Sequence, residues 1–79
     1  MFRKKKNYAY IATPTNLIEL KKGDRIVLGG QIYIVQYDAR MSYFRYEVDL
    51  KPENRPDAKY NEHVGIYGTA WTLFDKVND

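Results

Sequence analysis

The segment Arg25-Ile26-Val27-Leu28-Gly29-Gly30-Gln31-Ile32-Tyr33-Ile34-Val35-Gln36-Tyr37 constrains this chain more than any other. Two runs rich in β-branched residues flank Gly29-Gly30, a pair that accepts the positive φ angles of a two-residue hairpin turn. The turn fixes the register: Leu28 opposite Gln31, Val27 opposite Ile32 and Ile26 opposite Tyr33. Ile26, Leu28, Tyr33, Val35 and Tyr37 then share one face, and Val27, Ile32 and Ile34 share the other. A half-exposed hairpin would alternate apolar with polar residues. Two apolar faces point instead to a strongly bent strand of a small barrel, or to a second contact surface.

The flanking sequence extends this hairpin. Asp38 to Ser42 reads as a connecting loop. Tyr43 to Leu50 alternates as a strand, with Phe44, Tyr46, Val48 and Leu50 toward a core and Tyr43, Arg45, Glu47 and Asp49 toward water. Three consecutive antiparallel strands make a meander. Upstream, Tyr8 to Ala12 reads as a first strand, ended by Thr13-Pro14-Thr15-Asn16 because proline cannot donate to a ladder. Leu17 to Leu20 fits a short extended piece or a single turn, and Lys21-Lys22-Gly23-Asp24 a tight turn. Downstream, the polar stretch from Lys51 carries Pro52 and Pro56 and continues as a long connection to Gly68, with a short strand around Val64 and Ile66. Thr69 to Val77 has two readings. Ala70, Leu73, Phe74 and Val77 fall at helical spacing behind Thr69 as a cap, but a strand is favoured because an open sheet needs a closing partner.

At 79 residues the chain forms one domain, read as a basic arm over residues 1–6 and a β domain over residues 7–79. It has no cysteine, which excludes disulfides and thiolate zinc sites and suits a cytoplasmic location. No apolar run reaches the roughly 20 residues of a membrane span, and no apolar stretch of a secretory signal follows the basic start. Charge is uneven. Residues 1–22 carry six basic side chains and one acid, whereas residues 23–79 carry seven basic and nine acidic groups.

The order of elements resembles an SH3-like small β-barrel. The residues that carry the likeness are Gly23-Asp24-Arg25-Ile26-Val27, Gly29 to Val35, Tyr43 to Leu50 and Trp71-Thr72-Leu73-Phe74. The resemblance implies an all-β fold, a five-stranded antiparallel barrel with a central three-strand meander and a long loop before the last strand. Such barrels bind peptides, proteins, RNA or DNA, so the fold does not choose the function. Brevity, tyrosine richness and the lack of an enzyme signature also resemble small proteins of tailed phages and mobile elements, which implies a host protein as the target.

Catalysis is not expected. The single His63 has no cysteine to pair with, and a carboxylate–histidine metal site is weaker than a hydrogen-bonded imidazole. Glu47 and Asp49 share a strand face where Arg45 and the neighbouring strand can pair with them. Gly29-Gly30 lacks the Lys-Ser/Thr and helix of a phosphate loop. No cofactor, metal or membrane partner is expected. Eight tyrosines, three phenylalanines and one tryptophan exceed what so small an interior can hold. With Tyr46, Trp71, Phe44 and Phe74 assigned to the core, the surplus predicts a protein-binding patch of Tyr33, Tyr37, Arg40, Met41, Tyr43, Tyr60 and Tyr67. The alternative is a single-stranded nucleic-acid surface, with rings stacking on bases and Arg3, Lys4, Lys5, Lys6, Arg40 and Arg45 on phosphates. The acids of residues 23–79 weigh against it, and a solvated tail is the simplest use of the arm. A helical last segment would leave a strand edge open for homodimerisation.

Overall fold

A computed structural model describes residues 12–78. Seven strands make one curled antiparallel sheet, a half-barrel: β1 (Ala12–Asn16), β2 (Arg25–Leu28), β3 (Gln31–Val35), β4 (Arg40–Ser42), β5 (Arg45–Pro52), β6 (Val64–Gly68) and β7 (Leu73–Val77). Two 3₁₀ turns, Leu17–Glu19 and Tyr60–Glu62, complete the elements. The path runs β1-β7-β2-β3-β5-β4, and β6 pairs with the other edge of β5. No helix among the described residues is long and apolar enough to cross a membrane.

The Gly29-Gly30 hairpin has the register its sequence dictates, Leu28↔Gln31, Val27↔Ile32 and Ile26↔Tyr33. Its glycines take φ of 60° and 80°, values that cost a β-carbon-bearing residue strain. Ile26 and Val35 are fully buried, with Leu28 and Tyr33 packed against them. The second face is partly covered as well. Ile32 is buried, the Glu53 amide donates to the Ile32 carbonyl at 3.0 Å, and Arg25 holds Glu53 at 2.7 Å. The second face is thus half-covered rather than open, with Val27 and Ile34 half-buried beside Ile32.

Leu17, Leu20, Val48 and Leu50 complete the core, each side chain contributing about 1.5–3 kcal/mol by leaving water. Leu17 and Leu20 come from the segment read as extended or a single turn, which is a 3₁₀ turn. It is anchored on the β6–β7 connection by Leu17 N–H to the Thr72 carbonyl at 2.7 Å and Ile18 N–H to the Ala70 carbonyl at 3.3 Å. Lys21–Asp24 closes as the expected turn, with Gly23 at φ 93° and the Lys21 amide bonded to the Asp24 carboxylate at 2.9 Å. Of the last segment only Leu73–Val77 is strand, β7, seated between β1 and β2, while residues 69–72 form the turn before it.

Several expectations need correction. The described residues form seven strands rather than five. Thr13-Pro14-Thr15-Asn16 does not end the first strand but belongs to it, because among the described residues β1 pairs only with β7 and an edge strand tolerates Pro14. The part of the expected strand before Ala12, and the basic arm, lie outside the described residues. Arg40–Ser42 is not loop but strand β4, paired with Arg45–Glu47. Tyr43 and Phe44 therefore form the two-residue turn between β4 and β5, and Phe44 is wholly exposed instead of buried. Tyr46, Val48 and Leu50 keep the predicted core face. Asp49 keeps the opposite face yet is buried, because His63 covers it. Trp71 stands 72% exposed in the β6–β7 turn, while Phe74 packs against the core.

Candidate functional site

The face of β4, β5 and β6 turned away from the core collects the residues of interest. Register places Arg40 opposite Glu47, Glu47 opposite Tyr67, and Asp49 opposite Gly65. Since Val48 and Leu50 point inward, the odd-numbered residues of β5 point outward. Arg40 Nε bonds Glu47 Oε2 at 3.2 Å, and its Nη2 donates to the Tyr37 hydroxyl at 3.3 Å. The same guanidinium lies 4.5 Å from the centre of the Tyr37 ring, and that of Arg45 lies 4.0 Å from the centre of the Tyr67 ring. Both distances are within cation–π range.

At the other end of this face, His63 Nδ1 donates to Asp49 Oδ2 at 2.7 Å. The Tyr60 ring leans over the imidazole, its centre 5.7 Å away. Between these groups lies a cavity of about 70 Å³, walled by Tyr37, Tyr60 and Tyr67, with Glu47, Asp49 and Gly65 below. Gly65 borders the cavity without a side chain, and a β-carbon there would lie in ordinary contact, 3.6 Å, with the Tyr67 hydroxyl. Partial burial pushes the Tyr37 phenol up from its ordinary value, opposed by Arg40 and reinforced by Asp49, Tyr60 and Glu47. The hydroxyl is thus held protonated, a donor as well as an acceptor.

Of the seven residues expected at a protein interface, Tyr37, Arg40, Tyr60 and Tyr67 line this cavity. Tyr43 is not part of the lining; it stands in the β4–β5 turn, 88% exposed beside the 100% exposed Phe44. Met41 is exposed but pairs with Tyr46, so it lies on the opposite face of the edge strand. Tyr33 does not join the patch, since its ring packs against the core. Of the nucleic-acid candidates, Arg40 and Arg45 are on the face and stacked on tyrosines, and Arg3, Lys4, Lys5 and Lys6 lie outside the described residues. Residues 12–78 carry nine basic and nine acidic side chains, so the described sheet supplies no net positive charge.

Sequence reasoning missed Asp49, His63 and Gly65 as one group. Their proximity comes from the β5–β6 register, which no turn signal fixes across so long a connection. The only local hint was a glycine inside a strand, which often marks close approach. No cluster of three or more metal-ligating side chains occurs among the described residues. Comparison with family models, curated proteins and solved structures found no match to the chain.

Proposed function

We propose that the chain is a small non-catalytic binding module that engages a protein partner through the outward face of β4, β5 and β6. In this reading the half-barrel is a small SH3-like barrel used as a rigid platform. The observation that carries it is the convergence of Tyr37, Arg40, Tyr60 and Tyr67 on one cavity, with Tyr43 and Phe44 exposed at the tip of the β4–β5 hairpin. Tyrosine offers a large, stiff apolar ring with a polar tip, which suits a surface that is wet when free and covered when bound. The backbone at the tip supports the same reading. Tyr43 and Phe44 sit at φ of 53° and 70°, where bulky residues are disfavoured, and neither buries its ring in return.

Crosslinking affinity capture tests the proposal, with the wild type and a Tyr37→Ala/Tyr67→Ala variant compared after circular dichroism shows both folded. A protein recovered by the wild type and lost by the variant is the expected result. Equal recovery by both forms would remove this face from the interaction. Salt-sensitive, saturable binding of a labelled single-stranded oligonucleotide, with no protein recovered, would replace the proposal by the nucleic-acid reading.

A further inference from the structure

We infer that the cavity between Tyr37, Tyr60 and Tyr67 receives one cationic head group, the ammonium of a lysine or the guanidinium of an arginine presented by the protein partner. This inference rests on the binding-module reading above and names the chemistry its site selects.

Charge points the same way as shape. Two carboxylates, Glu47 and Asp49, border the cavity; Glu47 is paired with Arg40 at 3.2 Å and Arg45 lies on the Tyr67 ring, so Asp49 is the acid there without a guanidinium partner. Asp49 is only 8% exposed. Its Oδ2 accepts from His63, while no described residue donates to Oδ1. For a carboxylate on so enclosed a residue, an N–H-bearing cation is a natural complement to the oxygen that His63 leaves free. An anion would meet two carboxylates at this position. An apolar group would seal Asp49 away from any donor.

The rings add a second, independent argument. Tyrosine faces carry negative potential and attract cations within about 6 Å of the ring centre. The chain already uses two of them this way, with Arg40 on Tyr37 at 4.5 Å and Arg45 on Tyr67 at 4.0 Å. The third wall, Tyr60, is largely exposed. A volume of about 70 Å³ suits a head group and not a whole side chain. Tyr43 and Phe44, exposed at the tip of the same β4–β5 hairpin, offer further apolar surface for a polypeptide, which favours a protein side chain over a free amine.

The test is an NMR titration of the ¹⁵N-labelled full chain with blocked pentapeptides, glycine throughout except for a central lysine, arginine or norleucine. The expected result is saturable shifts at Glu47, Asp49, Gly65 and Tyr67 with lysine or arginine and none with norleucine. Glu47→Gln should weaken the response by roughly tenfold, the scale of one charge-assisted contact. Gly65→Ala should weaken it by adding a methyl to the lining of so small a cavity, and should keep the fold, because that methyl meets Tyr67 at an ordinary contact distance of 3.6 Å. An equal response to norleucine, or unchanged binding by Gly65→Ala, would overturn the inference. A response to n-butylammonium as strong as to the lysine peptide would assign the cavity to free amines and overturn the protein source. Should the peptides fail while Tyr37→Ala/Tyr67→Ala still loses its captured protein, the cation chemistry falls and the binding face stands.

Discussion

Replacing Tyr43 by Asn and Phe44 by Gly should make this protein more stable while impairing its binding. Both residues occupy left-handed backbone, φ 53° and 70°, in the two-residue turn joining β4 to β5. That conformation costs an ordinary L-residue about 1–2 kcal/mol, whereas Asn-Gly is the pair such turns prefer. Because Tyr43 is 88% and Phe44 100% exposed, truncating them forfeits almost no burial. Glycine returns about 0.5–1 kcal/mol of the gain by loosening the unfolded chain. The net expectation is about 2 kcal/mol of added stability. For a domain of this size that corresponds to a rise in Tm of about 8–16 °C. Thermal unfolding followed by circular dichroism, with urea denaturation as a check, reads the change. An unchanged or lowered Tm would refute the claim that the turn is strained. A raised Tm with undiminished partner capture would show that the rings are not held there for contact.

Three further outcomes follow from the same geometry. Leu50→Ala, which empties a fully buried position, should cost about 2–5 kcal/mol in urea denaturation, whereas Leu73→Ala at an exposed position should change stability far less. Asp49→Ala should destabilise the fold by about 1–3 kcal/mol, because His63 Nδ1 loses its acceptor in a largely enclosed position; His63 tautomer signals in ¹⁵N spectra should change with it. The Tyr37 phenol, raised by burial, favours the folded state while protonated, so its contribution is intact below pH 10 and fades as pH climbs through the higher folded value. Stability measured against pH should therefore fall more steeply above pH 10 in the wild type than in Tyr37→Phe.

The parts of the fold legible in the sequence were those with local chemistry behind them. Gly29-Gly30 announces its turn, and with the turn comes the whole register of β2 and β3. The last strand was legible because an unclosed sheet needed one. Tyr43-Phe44 carries none of the residues such turns prefer, so β4 was hidden and the start of β5 was read two residues early. Pro14 looked like a terminator because the sequence does not reveal that, among the described residues, its strand has a neighbour on one side only. The candidate site divided in the same way. A surplus of tyrosine was countable, and it led to Tyr37, Tyr60 and Tyr67. The burial of Asp49 under His63 depends on a β5–β6 pairing that spans a long polar connection, and composition holds no trace of it. Tyr33 was lost to the core because periodicity assigns a residue to a face without saying which face will be covered.

Strand β5 borders three others: β4 beside its first residues, β3 beside its last, and β6 along the opposite edge. Glu47 and Asp49 therefore ride on backbone clamped from both flanks, and neither can shift without tearing a ladder. Their spacing is settled when the chain folds, before any visitor arrives. Ordering them then adds little entropic cost at the moment of association, so even a shallow recess can discriminate by chemistry.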